Sequence, residues 1–192
     1  AVANELKECG TSEPQSFKDI SIMFTDFVKF TDHSSSLKPR ALICELNNMF
    51  LKFDEIIEKH GCERIKTIGD AYLAVCGMPK ADDNHAINLS NAAIDIVEYL
   101  KDRNKGSEVN WEVRIGINSG DVVGGIVGSK KYIYDIFGDS VNVASRMECH
   151  SQPMKINISQ STYNLVEGKI SCSKREPIDV KGKGLTNMYF ID

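Results

Sequence analysis

The strongest constraint on how this chain folds is a change of hydrophobic period between positions 39 and 76. Over 39–60, Leu42, Leu46, Met49, Phe50, Phe53, Ile56 and Ile57 recur every three or four residues, which lines one face of a long amphipathic helix. Gly61 follows, and glycine ends a helix without strain because it accepts a left-handed backbone. Two short runs, 64–68 and 71–76, then flank Gly69-Asp70 and read as a hairpin with an acid at its tip. Upstream, Ile20, Ile22 and Phe24 alternate with Ser21 and Met23, predicting a strand that ends at Thr25-Asp26. Downstream, a helix fits 82–105, and strands over 111–118 and 122–127 join around Ser119-Gly120-Asp121. A third helix follows Asp139, and strands are expected near 154–158, 170–180 and 187–191. This order predicts an α+β fold: a ferredoxin-like βαββαβ core extended by C-terminal strands and a helix.

At 192 residues and 42% hydrophobic, the chain can bury one sizeable core, so a single domain over 17–192 is expected behind a polar lead-in, 1–16. A net charge of -4 provides no broad positive field and argues against a nucleic-acid polymer as partner. Cys9, Cys44, Cys62, Cys76, Cys149 and Cys172 form no Cys-x-x-Cys pair, which points to reduced thiols and a cytoplasmic setting. No apolar run approaches the roughly 18 to 20 residues that span a bilayer, so this segment is expected to be soluble, without membrane contact. Its abrupt start suggests a piece of a longer protein with regulatory domains.

Two acids, Asp26 and Asp70, each follow an apolar strand. In a ferredoxin-like sheet the first strand lies beside the hairpin, so the two carboxylates could converge and hold two Mg2+ ions, although either could equally serve a turn. The backbone N–H groups of Phe27, Val28, Lys29, Phe30 and Thr31 could cradle phosphate oxygens, a weak signal in itself, and the Walker pattern is absent. Arg114 and Arg146, set among apolar neighbours, each need an anion, which a structural ion pair would also supply. Lys181 is a weaker signal still, because a lysine flanked by glycine usually sits in a solvated turn.

Together the motifs FTDFVKFT, KTIGDAYLA, VRIGINSGDVVGGIVG, YDIFGDSVNVASRME and VKGKG resemble, in order, those of class III adenylate and guanylate cyclases, from about Phe17 to Ile191. The resemblance implies that Asp26 and Asp70, with the carbonyl of Phe27, hold two Mg2+ or Mn2+ ions. It implies that Lys66 and Asp135, beside Ile136, read a purine. Adenine offers an acceptor at N1 and a donor at N6, which a lysine and an aspartate complement. Guanylate cyclases of this family carry Glu and Cys or a similar residue there, so both positions favour ATP. By the same resemblance Asn142 and Arg146 orient the ribose and stabilise the transition state, and Arg114 and Lys181 hold the terminal phosphates. Phe27, Val28 and Lys29 depart from the residues usual after the first metal acid.

The expected activity is conversion of ATP to cyclic AMP and pyrophosphate in a head-to-tail homodimer with two shared sites. The metal acids would come from one subunit and the purine pair, Asn142 and Arg146 from the other. The rival readings are a guanylate cyclase and a silent nucleotide-binding half of a heterodimer.

Overall fold

The computed structural model describes residues 13–107, 109–128, 133–180 and 182–192. Its centre is β1 (Gln15–Phe27), antiparallel both to β3 (Ala71–Cys76) and to β4 (Val113–Val127). The sheet runs β2 (Glu63–Ile68), β3, β1, β4, β6 (Ile156–Ser159), β10 (Met188–Ile191), β7 (Cys172–Lys174), while β5 (Ile133–Phe137) pairs with the far half of β4. The first four strands stand in the order β2-β3-β1-β4, the ferredoxin-like arrangement expected from the sequence. A separate two-stranded ribbon joins β8 (Ile178–Val180) to β9 (Gly184–Thr186).

Strand alternation divides the core between the two faces of this sheet. Met23, Phe27, Tyr72, Ala74, Ile115 and Ile117 pack against α2 (Pro39–Lys59) and α3 (His85–Asn104). There Phe27, Phe50, Phe53, Tyr72 and Trp111 interlock with ring centroids 5.3 to 6.2 Å apart. Each such ring adds roughly 1.5–3 kcal/mol by leaving water. On the opposite face Ile20, Ile22, Leu73 and Val75 meet Val122, Ile136 and Ala144, because the β4–β5 ribbon and α4 (Asp139–Cys149) fold over them. That second face also carries Asp26 and Arg114.

The structure departs from the sequence-based expectation in several places. Positions 113–127 form one strand, not two, because the polar groups at Ser119-Gly120 are satisfied inside the fold. Ser119 Oγ bonds Ser21 Oγ at 2.7 Å and Thr162 Oγ1 at 3.0 Å, and Asn118 Oδ1 accepts from Ser159 at 2.7 Å. A short helix, α1 (Phe30–Ser36), occupies a stretch whose composition reads as loop, and Phe30 and His33 lie against the Trp111 ring. The second long helix starts at His85 rather than at position 82, because Asp82 turns back to accept from the Asn84 N–H at 2.8 Å. β1 begins at Gln15, inside the expected lead-in, and α5 (Gln160–Val166) fills the gap after β6.

Candidate active site

Asp26 lies opposite Arg114 in the β1–β4 register, on the face covered by α4. Arg114 donates from Nη2 to Asp26 Oδ2 at 2.9 Å and from Nε to Glu148 Oε1 at 2.9 Å. Asp70 sits at the β2–β3 turn beside Gly69, whose φ of 63° suits glycine. Burial raises the proton affinity of Asp70, the neighbouring Asp26 carboxylate raises it further, and Arg114 works in the opposite sense. Thr25 pairs with Tyr72 at the end of the β1–β3 ladder, so Asp26 and Asp70 both stand just past that pair, at one end of the sheet. Burial likewise opposes the charge on Arg114, but Glu148 and Asp26 outweigh it and keep the guanidinium charged.

These groups fit a divalent metal. Among the described residues no three His, Cys, Asp or Glu side chains gather into a ready cage. The available set is instead two carboxylates and backbone oxygen, as suits Mg2+ completed by phosphate oxygens and water. The Val28 N–H donates to the Glu112 carbonyl at 2.9 Å, and antiparallel pairs alternate in their bonding. The Phe27 carbonyl is thereby turned away from β4, toward the side where the β1–β3 ladder has ended at Thr25 and Tyr72.

The same bond removes Val28 from the expected row of phosphate-binding amides. Phe27 belongs to β1, Lys29 is exposed with φ 54°, and Phe30 and Thr31 open α1. The first carbonyl bonds of this helix run from the N–H groups of Asp32 and His33 to Lys29, so the amides of Phe30 and Thr31 precede them.

Lys66 and Asp135 form a second cluster. Lys66 Nζ lies 2.5 Å from Asp135 Oδ2, and Asp135 Oδ1 accepts from the Ile136 N–H at 2.9 Å. The Ile136 side chain is buried, which anchors the strand, while both charged ends stay partly exposed. Asn142 and Arg146 share one flank of α4. Glu148 lies about 200° round the helix from Arg146, on the flank that meets the sheet. Among the described residues neither the Asn142 nor the Arg146 side chain has a hydrogen-bond or ion-pair partner. Lys181 lies outside the described residues.

Glu148 and Gly116 carry the site's geometry, and neither stands out in the sequence as a site residue. A Cβ on Gly116 would stand 1.9 Å from the Glu148 backbone nitrogen, so α4 rests directly on bare β4 backbone. The signal was present in the glycine two residues beyond Arg114 and the acid two beyond Arg146.

A family model for the adenylate and guanylate cyclase catalytic domain matches residues 12–192. The chain is 35% identical over 196 residues to the receptor-type guanylate cyclase gcy-28 of Caenorhabditis elegans, covering 100% of this chain and 15% of that protein. It is also 35% identical over 195 residues to an adenylate cyclase of Mycobacterium tuberculosis, covering 100% of this chain and 43% of that one. The chain thus spans less than half the length of these relatives. Among solved structures it resembles the catalytic core of a rhodopsin-guanylyl cyclase with converted specificity in complex with ATPαS. The TM-score is 0.90 at 37% identity, over 94% of this chain and 98% of that one.

Proposed function

The chain belongs to the adenylate and guanylate cyclase catalytic domain family, and from that premise we propose that it converts ATP to 3′,5′-cyclic AMP and pyrophosphate. The observation that carries the choice of ATP is the Lys66–Asp135 pair, a donor and an acceptor held side by side at 2.5 Å. Opened onto a purine, the ammonium meets the adenine N1 acceptor and the carboxylate meets the N6 donor, whereas guanine reverses both polarities. Family membership alone does not choose, since relatives of both kinds stand at 35% identity.

The reaction joins the ribose 3′-oxygen to the α-phosphorus and breaks the bond to the β-phosphate. The hydroxyl proton goes to solvent and pyrophosphate leaves. Asp26, Asp70 and the Phe27 carbonyl would hold two divalent ions, Mg2+ or Mn2+, which favour ionisation of the 3′-hydroxyl and offset phosphate charge. Arg114 and Lys181 bind the departing phosphates, while Asn142 orients the ribose and Arg146 meets charge growing on the α-phosphate.

A homodimer supplies what one subunit leaves apart. Asn142 and Arg146 face away from the sheet that carries Asp26, so a partner's α4 is the economical source of both. An exposed apolar stripe supports such a contact. Val123 pairs with Phe137 and Val127 with Ile133, flanking the Gly125–Asp135 pair on the β4–β5 ribbon, and all four apolar side chains are at least 40% exposed. Among the described residues no helix is long and apolar enough to cross a membrane, and a cytoplasmic domain governed by other parts of a longer protein fits this reading.

The test is turnover of ATP and GTP, with Mg2+ and with Mn2+, followed by product identification. Cyclic AMP as the dominant product is expected. Preferential formation of cyclic GMP would transfer the assignment to the guanylate class, and no product from demonstrably dimeric protein would favour a silent binding module.

A further inference from the structure

We propose that Glu148 is a positioning residue of this site: it fixes the Nε edge of Arg114 so that the guanidinium stays aimed at the triphosphate when Asp26 takes up a metal. The inference rests on the reading of Asp26 and Arg114 given above and adds a residue to it.

Asp26 has two claims on it. Its Oδ2 accepts from Arg114 Nη2 at 2.9 Å, and it is also one of the two carboxylates available to a cation. A divalent ion at Asp26 weakens the hold of Asp26 on Arg114. An arginine anchored at that one point would then be free to swing, losing the fixed aim that makes a guanidinium effective toward phosphate. Here the second anchor is Glu148 Oε1, on Nε at 2.9 Å. With Nε held by Glu148, the planar guanidinium keeps its place, and the terminal nitrogens that Asp26 releases are left to donate to phosphate oxygens.

Two further observations show that this anchor is built in. Glu148 is only 7% exposed, a costly place for a carboxylate, and Arg114 is its ion-pair partner there. Its position is also locked from below: the missing Cβ of Gly116 lets the α4 backbone at Glu148 sit directly on β4, two residues along the same strand from Arg114. Arg114, Gly116 and Glu148 thus form one mechanical unit, strand, contact and clamp.

The experiment is calorimetric binding of inorganic tripolyphosphate with Mn2+ to the whole chain. It needs neither turnover nor a base, and compares wild type, Glu148→Gln, Arg114→Ala and the double variant. Glu148→Gln should weaken binding on the order of tenfold, and the double variant should bind no more weakly than Arg114→Ala alone, since Glu148 acts through that arginine. Melting curves and near-ultraviolet dichroism establish that each variant is folded. If Glu148→Gln is not, Glu148→Asp, which keeps the charge and shortens the reach, takes its place with the same expectation. Wild-type affinity in the Glu148 variant, or losses that multiply in the double variant, would overturn the inference while leaving the proposed reaction intact. A wild type that does not bind Mn2+ and tripolyphosphate at all would overturn both.

Discussion

Lys66 on β2 and Asp135 on β5 are 69 positions apart in the chain, yet their charged ends meet at 2.5 Å. The contact exists because the β4–β5 ribbon folds across the sheet and brings Tyr134 and Ile136 onto the same apolar cluster as Ile65 and Leu73. Reversing this polarity should reverse the base preference. Lys66→Glu combined with Asp135→Cys is expected to lower the ratio of kcat/KM for ATP over GTP by roughly 100-fold. Steady-state kinetics with both nucleotides checks this, and an unchanged ratio would contradict the assignment.

The close approach at Gly116 makes a second expectation specific. In Gly116→Ala the new methyl carbon would fall 1.9 Å from the Glu148 nitrogen, and because that obstacle is backbone, α4 itself must move. A loss of about 3 kcal/mol in urea unfolding is expected, at the upper end for overpacking. Gly61→Ala meets nothing within 4 Å, so its cost should come from its φ of 66° alone and be smaller.

These two cases show where the sequence was informative. Asp26, Asp70 and Lys66 stand in or beside segments read as strands from their apolar pattern, whereas the strand that holds Asp135, Ile133–Phe137, has no such reading and Asp135 is marked by the family resemblance alone. Ser119-Gly120-Asp121 misled because it has the composition of a turn. Its hydroxyl is satisfied by Ser21 and Thr162, which lie 98 and 43 positions away, and no local pattern encodes such partners. The helix at Phe30–Ser36 was hidden for the same reason: its polar residues suggest loop, and its support comes from the distant ring of Trp111. Glu148 escaped notice because its role depends on a helix lying across Gly116, a relation between two elements.

His85 gives an expectation for stability against pH. It is 4% exposed, and its Nδ1 shares a 2.8 Å hydrogen bond with Ser21 Oγ. Burial lowers its pKa below the ordinary 6.5, outweighing Asp19, Asp82 and Asp83, which pull it upward. The folded state therefore takes up this proton less readily than the unfolded chain. Its contribution to stability is complete above pH 6.5 and is lost as pH falls toward the lowered folded value, with a slope of at most about 1.4 kcal/mol per pH unit. Urea unfolding at pH 5 and pH 7.5 should show a smaller difference for His85→Asn than for wild type. Equal differences would show that this proton does not matter.

The apolar stripe on the β4–β5 ribbon predicts an effect on association rather than on folding. Phe137 is 46% exposed, so Phe137→Lys should leave the melting temperature within about 2 °C, in keeping with the small effects of surface substitutions. Sedimentation equilibrium should nevertheless show a weaker dimer, and specific activity should fall most at low protein concentration. A dimer as tight as wild type would place the interface elsewhere.

If each site draws Asp26 and Asp70 from one subunit and Asn142 and Arg146 from another, two inactive variants must complement each other when mixed. Asp70→Ala and Arg146→Ala, each nearly silent alone, are combined at equal concentration and allowed to exchange subunits. Half of the dimers then carry one intact site of two, so cyclic AMP formation should recover to about a quarter of the wild-type rate per chain. Continued silence, with subunit exchange demonstrated by differently labelled chains, would contradict the shared site.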